Sequence, residues 1–330
     1  MKKFKLLICI LLSLSCMLPF GCSKKKKNKP QEETSFIPAP AFSADSAYAY
    51  VKAQTDFGPR TLGSESHNLC QDYLLRQLSR FCDTAFVQNF SVKTYDGKSW
   101  NAANLIGSFA PEKSERIVLS SHWDSRPFAD HDPLAENHDK AIDGANDGAS
   151  GVGVLLEVAR QLSRLNPNVG VDIVLFDAED YGPKEGDDAP NGDWWGLGSQ
   201  YWAQHLHAPN YQARFGILLD MVGSFNPCFM QESFSMRDAQ PIVAKVWSTA
   251  YNLGFGDVFV NSPGGIITDD HYYVNKYSNI PMIDIIHYDA ASGTGFDPTW
   301  HTLNDNIQHI DKNTLDIVGK TILQVIKSEQ

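Results

Sequence analysis

The chain has 330 residues, 42% of them hydrophobic and 20% charged. That is enough apolar content for the packed core of one large domain, or two at most, and it excludes bulk disorder. The 28 Lys and Arg stand against 39 Asp and Glu, a formal net charge of −11, which argues against a nucleic-acid-binding protein needing a basic field over phosphates.

The first elements in chain order are targeting segments. Lys2, Lys3 and Lys5 precede an apolar stretch over residues 6–20, the n- and h-regions of a secretory signal. No apolar run of spanning length follows it, so a polytopic membrane protein is excluded. The stretch ends in Gly21-Cys22, and a small residue before Cys is the pattern of a lipoprotein signal. Residues 1–21 are therefore expected to be a signal peptide, residues 22–40 an anchor and polar tether, and residues 41–330 the folded body. This predicts an exported, periplasmic protein held on the membrane through lipidated Cys22 and making no other membrane contact. Much of the basic charge lies in the signal and tether, so the body is more acidic than the whole chain. Such a body attracts cationic groups, a peptide N-terminus among them.

Of six Cys, four remain after such processing: Cys22, Cys70, Cys82 and Cys228. Export permits disulfides, and Cys70 and Cys82 are the obvious pair. Residues 64–81, however, read as one helix with Leu74, Leu75, Leu78 and Phe81 on a face. The helix between the two thiols rises about 18 Å, whereas a disulfide needs Cα atoms within about 7 Å. Buried free thiols are expected instead.

Residues 116–121 form a short apolar run suited to a buried strand. Residues 150–165 carry Val152, Leu155, Leu156, Ala159 and Leu162 at helical spacing. Residues 171–176, 215–219 and 281–286 read as further buried strands. Between the second and third, residues 182–196 hold four Gly, two Pro and the acids Glu185, Asp187, Asp188 and Asp193, the composition of a surface loop. Asp311 is placed to cap a last helix that turns Leu315, Val318, Ile322 and Ile326 inward. Strands alternating with helices define an α/β fold: a single domain whose central sheet is mixed, mainly parallel, and flanked by helices.

Polar residues cluster where these strands end. His122 and Asp124 follow the first strand, Glu179 and Asp180 the second, and Asp220 the third. Asp147 lies in a Gly-rich turn feeding the helix at 150. Asp269, Asp270 and His271 read as a loop before the fourth strand, and Trp300-His301 as a loop after it. In open α/β sheets ligands bind beyond the carboxyl ends of the strands, so these residues converge on one edge. Residues 130–139, despite their extra His and acids, read as a solvated loop, and His205 and His207 as surface residues. Carboxylates gathered with histidines repel one another without a cation. His plus carboxylate without thiolate suits Zn²⁺ or a similar first-row ion.

These motifs resemble the zinc-dependent M28 peptidase superfamily. The segment Ser121-His122-Trp123-Asp124-Ser125 is similar to its His-x-Asp-Ser element, and Gly144-Ala145-Asn146-Asp147-Gly148-Ala149-Ser150-Gly151 to its Gly-Ala-x-Asp element. Phe176-Asp177-Ala178-Glu179-Asp180, Leu219-Asp220-Met221 and the run from Trp300-His301-Thr302 to Asp305-Asn306 resemble the rest, in order. The resemblance implies a zinc aminopeptidase-like α/β sandwich. Two chemistries compete within it. Dizinc aminopeptidases would place ligands on His122, Asp147, Asp180, Asp220 and His301. Glutaminyl-peptide cyclotransferases would hold one zinc on Asp147, Asp180 and His301. Thr268-Asp269-Asp270-His271, Trp300 before His301, and Phe57-Gly58-Pro59-Arg60 are closer to the cyclases. Asp180 departs from the Glu of the animal cyclases, and the acidic loop from Gly182 is a second departure. The resemblance to the cyclases implies peptides or proteins with N-terminal Gln as substrates; with the acidic charge, no nucleic-acid partner is expected, and the protein is expected to be a monomer. Glu179 would be the proton-transferring base, Asp220 and Asp269 a hydrogen-bonded pair, and Trp300 with Trp194 or Trp195 the walls of the substrate pocket.

Overall fold

The four apolar runs singled out above become neighbouring strands of one sheet. A computed structural model describes residue 38 and residues 40–329. The expected signal peptide, lipidated Cys22 and most of the tether lie outside the described residues. The strands are β1 (Thr84–Lys93), β2 (Ser99–Phe109), β3 (Arg116–His122), β4 (Gly170–Phe176), β5 (Gly216–Asp220), β6 (Phe229–Gln231), β7 (Phe259–Pro263) and β8 (Met282–Ile286). The main sheet has six strands in the order β1-β2-β4-β3-β5-β8, and β6 pairs with β7 separately. The pairs β3–β4, β3–β5 and β5–β8 are parallel, while β1–β2 and β2–β4 are antiparallel. The sheet is thus mixed and mainly parallel, as expected.

Every residue of β3, β4, β5 and β8 is buried, because helices cover both faces. The helices are α1 (Ala44–Thr55), α2 (Glu65–Phe81), α3 (Ala149–Leu165), α4 (Leu197–Gln204), α5 (Ser233–Asn252), α6 (Asp270–Tyr277) and α7 (Lys312–Ser328). On one face, Ile117, Leu119, Ile173, Ile217 and Ile283 pack against residues of α1, α2, α3, α5 and α7. On the other, Val118, Val174, Leu218 and Met282 meet Trp202 of α4 and Val274 of α6. The alternation along each strand is the period-two pattern of a pleated backbone. Each fully buried Leu or Ile contributes about 1.5–3 kcal/mol.

Asp311 caps α7 by accepting from the Asn313 N–H, and Ser64 caps α2. Cys70, Cys82 and Cys228 are free. Only Cys70 is fully buried; Cys82 and Cys228 are half-buried, a correction to the expectation, because neither lies on the inward stripe of a helix. Asp270 and His271 are likewise not in a loop. Asp269 accepts from the Asp270 N–H and caps α6, so both residues sit in its first turn. Residues 182–196 form neither helix nor strand, as expected. Among the described residues no helix is long and apolar enough to cross a membrane.

Strand order places the site. The connection from β3 to β4 runs through α3 on one face, and that from β4 to β5 through α4 on the other. β5 therefore returns to the opposite side of β3, and a crevice opens between the carboxyl ends of β3 and β5. Such a switch point is where open α/β sheets bind ligands.

Candidate active site

His122 ends β3 and Asp220 ends β5, so the two flank that crevice. The turn before α3 carries Asp147 between them. A Cβ on Gly148 would collide with the His122 ring, and one on Gly151 with the Leu219 carbonyl, so only glycine lets this turn close down on the sheet. Asp305 fixes it by accepting from the N–H groups of Asn146 (2.7 Å) and Asp147 (3.1 Å). Asp124 fixes the loop after β4 in the same way, accepting from Glu179 N–H (3.1 Å) and Asp180 N–H (3.2 Å). Ala178, Met221 and His301 all adopt positive φ beside the crevice, a conformation unusual for residues with a Cβ and frequent around functional sites.

The result is a cluster of buried ionisable groups. His301 Nε2 lies 3.3 Å from Asp180 Oδ1 and 3.6 Å from Asp147 Oδ2. His122 Nε2 lies 2.9 Å from Asp147 Oδ1 and 3.2 Å from Asp220 Oδ1. Both triads are close enough to hold an ion, and Asp147 belongs to each. Burial raises Asp180 well above the usual carboxylate range, and Asp147 adds to the effect against the opposing Arg126 and His122. Burial also lifts Glu179 well up, with His122 opposing and Asp180 and Asp269 adding. Asp220 rises to about 7, through burial and the Asp269 charge, although His122 resists. Acids this crowded call for a cation.

The set Asp147, Asp180 and His301 fits zinc. It offers two carboxylates and one imidazole without thiolate, and three protein ligands leave a catalytic ion one open position. Asp180 Oδ2 is buried with no hydrogen-bond partner. Burial, Arg126 and His131 hold His301 well below the usual imidazole range, so the ring is neutral, as a ligand must be. Its other nitrogen, Nδ1, lies 3.5 Å from Asp130 Oδ1 without a hydrogen bond; a carboxylate in that place is common behind metal-binding histidines.

A cavity of about 280 Å³ opens beside this cluster. Asp147, Glu179, Asp220 and Asp269 reach it from below, and Trp195, Trp300 and Phe296 wall it. Of the nine residues that the resemblance to the cyclases assigned to the site, eight thus lie at the cavity or in the cluster of Asp147, Asp180 and His301 that could hold an ion. Trp194 does not. It is half-exposed, donates from Nε1 to the Pro190 carbonyl (2.6 Å), and is absent from the cavity wall. Trp195 stacks parallel to His301 at 6.2 Å and packs against Arg126.

Sequence reasoning missed Arg126 and Asp130. Asp130 is buried, not in a solvated loop. Arg126 binds both of its oxygens at 2.7 Å, reaches Asp180 Oδ1 at 3.4 Å, and donates to the carbonyls of Gly182 and Pro183. One guanidinium thereby ties a metal-binding candidate, the carboxylate beside His301 and the start of the acidic loop together. No local pattern marks it, because all but one of its partners come from distant parts of the chain. Of the two supposed surface histidines, His205 is exposed and His207 half-buried against Trp202.

Residues 104–326 match Peptidase family M28, and the chain belongs to that family. Among solved structures it is similar to a glutaminyl cyclase from Tannerella forsythia, with 52% identity, 88% of this chain and 100% of that chain covered, and a TM-score of 0.86. It is similar to the same degree to a Zn-dependent exopeptidase from Parabacteroides distasonis, with 51% identity, 88% and 100% coverage, and a TM-score of 0.87. A glutaminyl-peptide cyclotransferase from Bos taurus is 24% identical, over 69% of this chain and 66% of that protein. The chain spans between about half and two thirds of the length of the first curated relatives it matches.

Proposed function

We propose that the chain is a zinc-dependent glutaminyl-peptide cyclotransferase, closing the N-terminal Gln of peptides and proteins to pyroglutamate with release of ammonia. The observation that carries this reading is the small cavity in which Glu179, Asp220 and Asp269 meet Asp147 between Trp195 and Trp300. It has room for one side chain and its α-amine. The similarity to the Tannerella forsythia cyclase over the whole of that chain supports it.

One ion is proposed, held by Asp147, Asp180 and His301, and when bound it supplies Lewis acidity toward the substrate's γ-carbonyl. The attacking and leaving nitrogens belong to one residue, so the protein's task is to fold the side chain back and move protons. Trp195 and Trp300 hold the folded side chain and exclude water. Glu179 takes a proton from the α-amine and passes it to the leaving amide nitrogen; its raised pKa suits both directions. Asp220 and Asp269, sharing a proton, receive the departing ammonia. The enzyme is proposed to act as a monomer, exported and held on the periplasmic side of a membrane by the lipid on Cys22.

A dizinc aminopeptidase is the second reading. It is favoured by His122, Asp147 and Asp220 lying close enough to hold a further ion. Mass analysis of a Gln-initiated peptide after incubation with the purified protein separates the two. Loss of one ammonia from an otherwise intact peptide is the expected result. Release of free Gln with a shortened peptide, together with two zinc equivalents per chain, would replace the first reading with the second.

A further inference from the structure

Behind Asp269, on the side away from the metal-binding residues, lies a buried group that the reaction above does not use. Asp284 is the middle residue of β8 and is wholly buried. It shares a sheet face with Met282 and is directed at the first turn of α6. There an oxygen of Asp284, an oxygen of Asp269 and a nitrogen of His271 all lie within 4.8 Å of one another. Both oxygens of Asp284, Oδ2 of Asp269 and Nδ1 of His271 are buried without a hydrogen-bond partner.

Glu232 closes the far side of the group. It accepts from four donors: the N–H groups of Phe234 (2.8 Å), Ser235 (2.6 Å) and Ile267 (3.2 Å), and His271 Nε2 (2.9 Å). Although burial opposes it, His271 and these N–H groups hold Glu232 down at about 2, so it is ionised and can only accept. His271 Nε2 therefore carries a hydrogen, and Nδ1 is the atom left facing Asp284 Oδ2, at 3.8 Å. Two facing carboxylates in a dry interior repel, and a proton between them turns the repulsion into a hydrogen bond.

We propose that Asp284 is neutral, carries a proton that it donates to Asp269, and so acts as the positioning residue that fixes Asp269 beneath the cavity. This rests on the reading of Asp269 as half of the ammonia-receiving pair. Burial, with the charges of Asp269, Asp220 and Glu232, pushes Asp284 well above the usual carboxylate range, which agrees with the geometry. Glu232 serves the same end from the other side. Through Ile267 and His271 it clamps the residues on either side of Asp269.

Two full-length variants test the proposal. In Asp284→Asn the amide still donates, as a protonated carboxyl does. Asp284→Val suits a buried strand but donates nothing. Asn is expected to hold kcat for ammonia release within about threefold, and Val to lower it about 10- to 100-fold with KM little changed. The wild-type minus Asn infrared difference spectrum at neutral pH is expected to show the C=O band of one carboxylic acid. Absence of that band, equal damage from Asn and Val, an innocuous Val, or a second metal equivalent lost in both variants would each overturn the proposal. A wild-type protein that releases no ammonia would end the cyclase reading alone, and the infrared band would still decide whether Asp284 carries its proton. The same band and the Asn kinetics decide the matter if the Val variant does not fold.

Discussion

The two histidines on either side of Asp147 have the same neighbours in kind and opposite settings. His301 stands 3.3 and 3.6 Å from the carboxylates it faces. That is close to the separation of about 3.3–3.4 Å between ligands held about 2.0–2.1 Å from a tetrahedral ion. His122 stands 2.9 Å from Asp147, a hydrogen-bond distance, and 3.2 Å from Asp220. Burial and Arg126 keep His301 neutral. Burial would lower His122 as well, but Asp124, Asp147 and Asp220 together raise it well above the usual imidazole range. One histidine is thus kept in the neutral form a metal ligand needs, while the carboxylates around the other favour its charged form. A protein can answer a surplus of buried carboxylates in both ways within a few ångströms.

The largest expected effect breaks the His301 side. His301→Ala or Asp147→Ala should lose the ion and with it all measurable turnover, checked by zinc analysis after dialysis and by the peptide assay. Full zinc occupancy in either variant would disprove the ligand assignment. Next comes Glu179→Gln, which keeps the shape of the side chain and removes its ability to take up a proton. A positioned acid–base group is worth about 10²- to 10⁴-fold, so turnover should fall by that much while zinc content and melting temperature stay near wild type. Substantial residual activity would assign the proton transfer to another group.

The contrast between the histidines was only partly visible in the sequence. His122, Glu179, Asp180 and Asp220 are legible because each follows a continuous apolar run, Asp147 because it lies in a Gly-rich turn, and His301 through the Trp300-His301-Thr302 motif of the family. Strands buried on both faces produce such runs. The β1–β2 hairpin is not legible in that way. Its strand from Thr84 to Lys93 has only Phe90 fully buried and reads Gln88-Asn89 where a core strand would be apolar. Its signal was the turn, Asp96-Gly97, with Gly97 at positive φ. Helix α5 is masked by Pro241, beside which Ala239 departs from helical geometry. Arg126, Asp130 and Glu232 each have local partners, an i,i+4 ion pair for the first two and a helix N-cap for the third, but their links to Asp180, Gly182, Ile267 and His271 are made only by folding, so no spacing rule shows their place at the site. Asp284 did leave a trace, as the single charge inside Met282-Ile283-Asp284-Ile285-Ile286. A charge in a buried run needs a partner or a proton, and the run alone does not say which.

The tryptophans sharpen the comparison at lower cost to the fold. The sequence named Trp194 and Trp195 together, and the structure separates them by which one stacks over His301. Trp195→Ala removes a wall of the cavity and one face of the His301 ring. Losing that contact should lower kcat/KM about 10- to 100-fold. Trp194→Ala, which removes a half-exposed ring bonded to Pro190, should leave kcat/KM within about twofold. Steady-state kinetics on a Gln-initiated peptide checks both, and equal effects would mean that the loop carries its two rings differently when substrate is bound.

Among the ionisable groups of the cluster, the smallest effect is expected where the comparison itself is at stake. His122→Ala removes the histidine whose Nε2 lies 2.9 Å from Asp147 and 3.2 Å from Asp220. Zinc content should remain at one equivalent per chain, because Asp147, Asp180 and His301 are all still present. Turnover should fall about tenfold or less, the effect of losing a hydrogen bond or so of orientation at Asp220 and Asp147. Were His122 a ligand of a second ion, the same substitution would remove one of two zinc equivalents, and hydrolysis of Leu- or Ala-initiated peptides by the wild type would fall with it. A single substitution followed by metal analysis therefore distinguishes an imidazolium that stands in for a metal from an imidazole that binds one, without reference to which peptide the protein turns over.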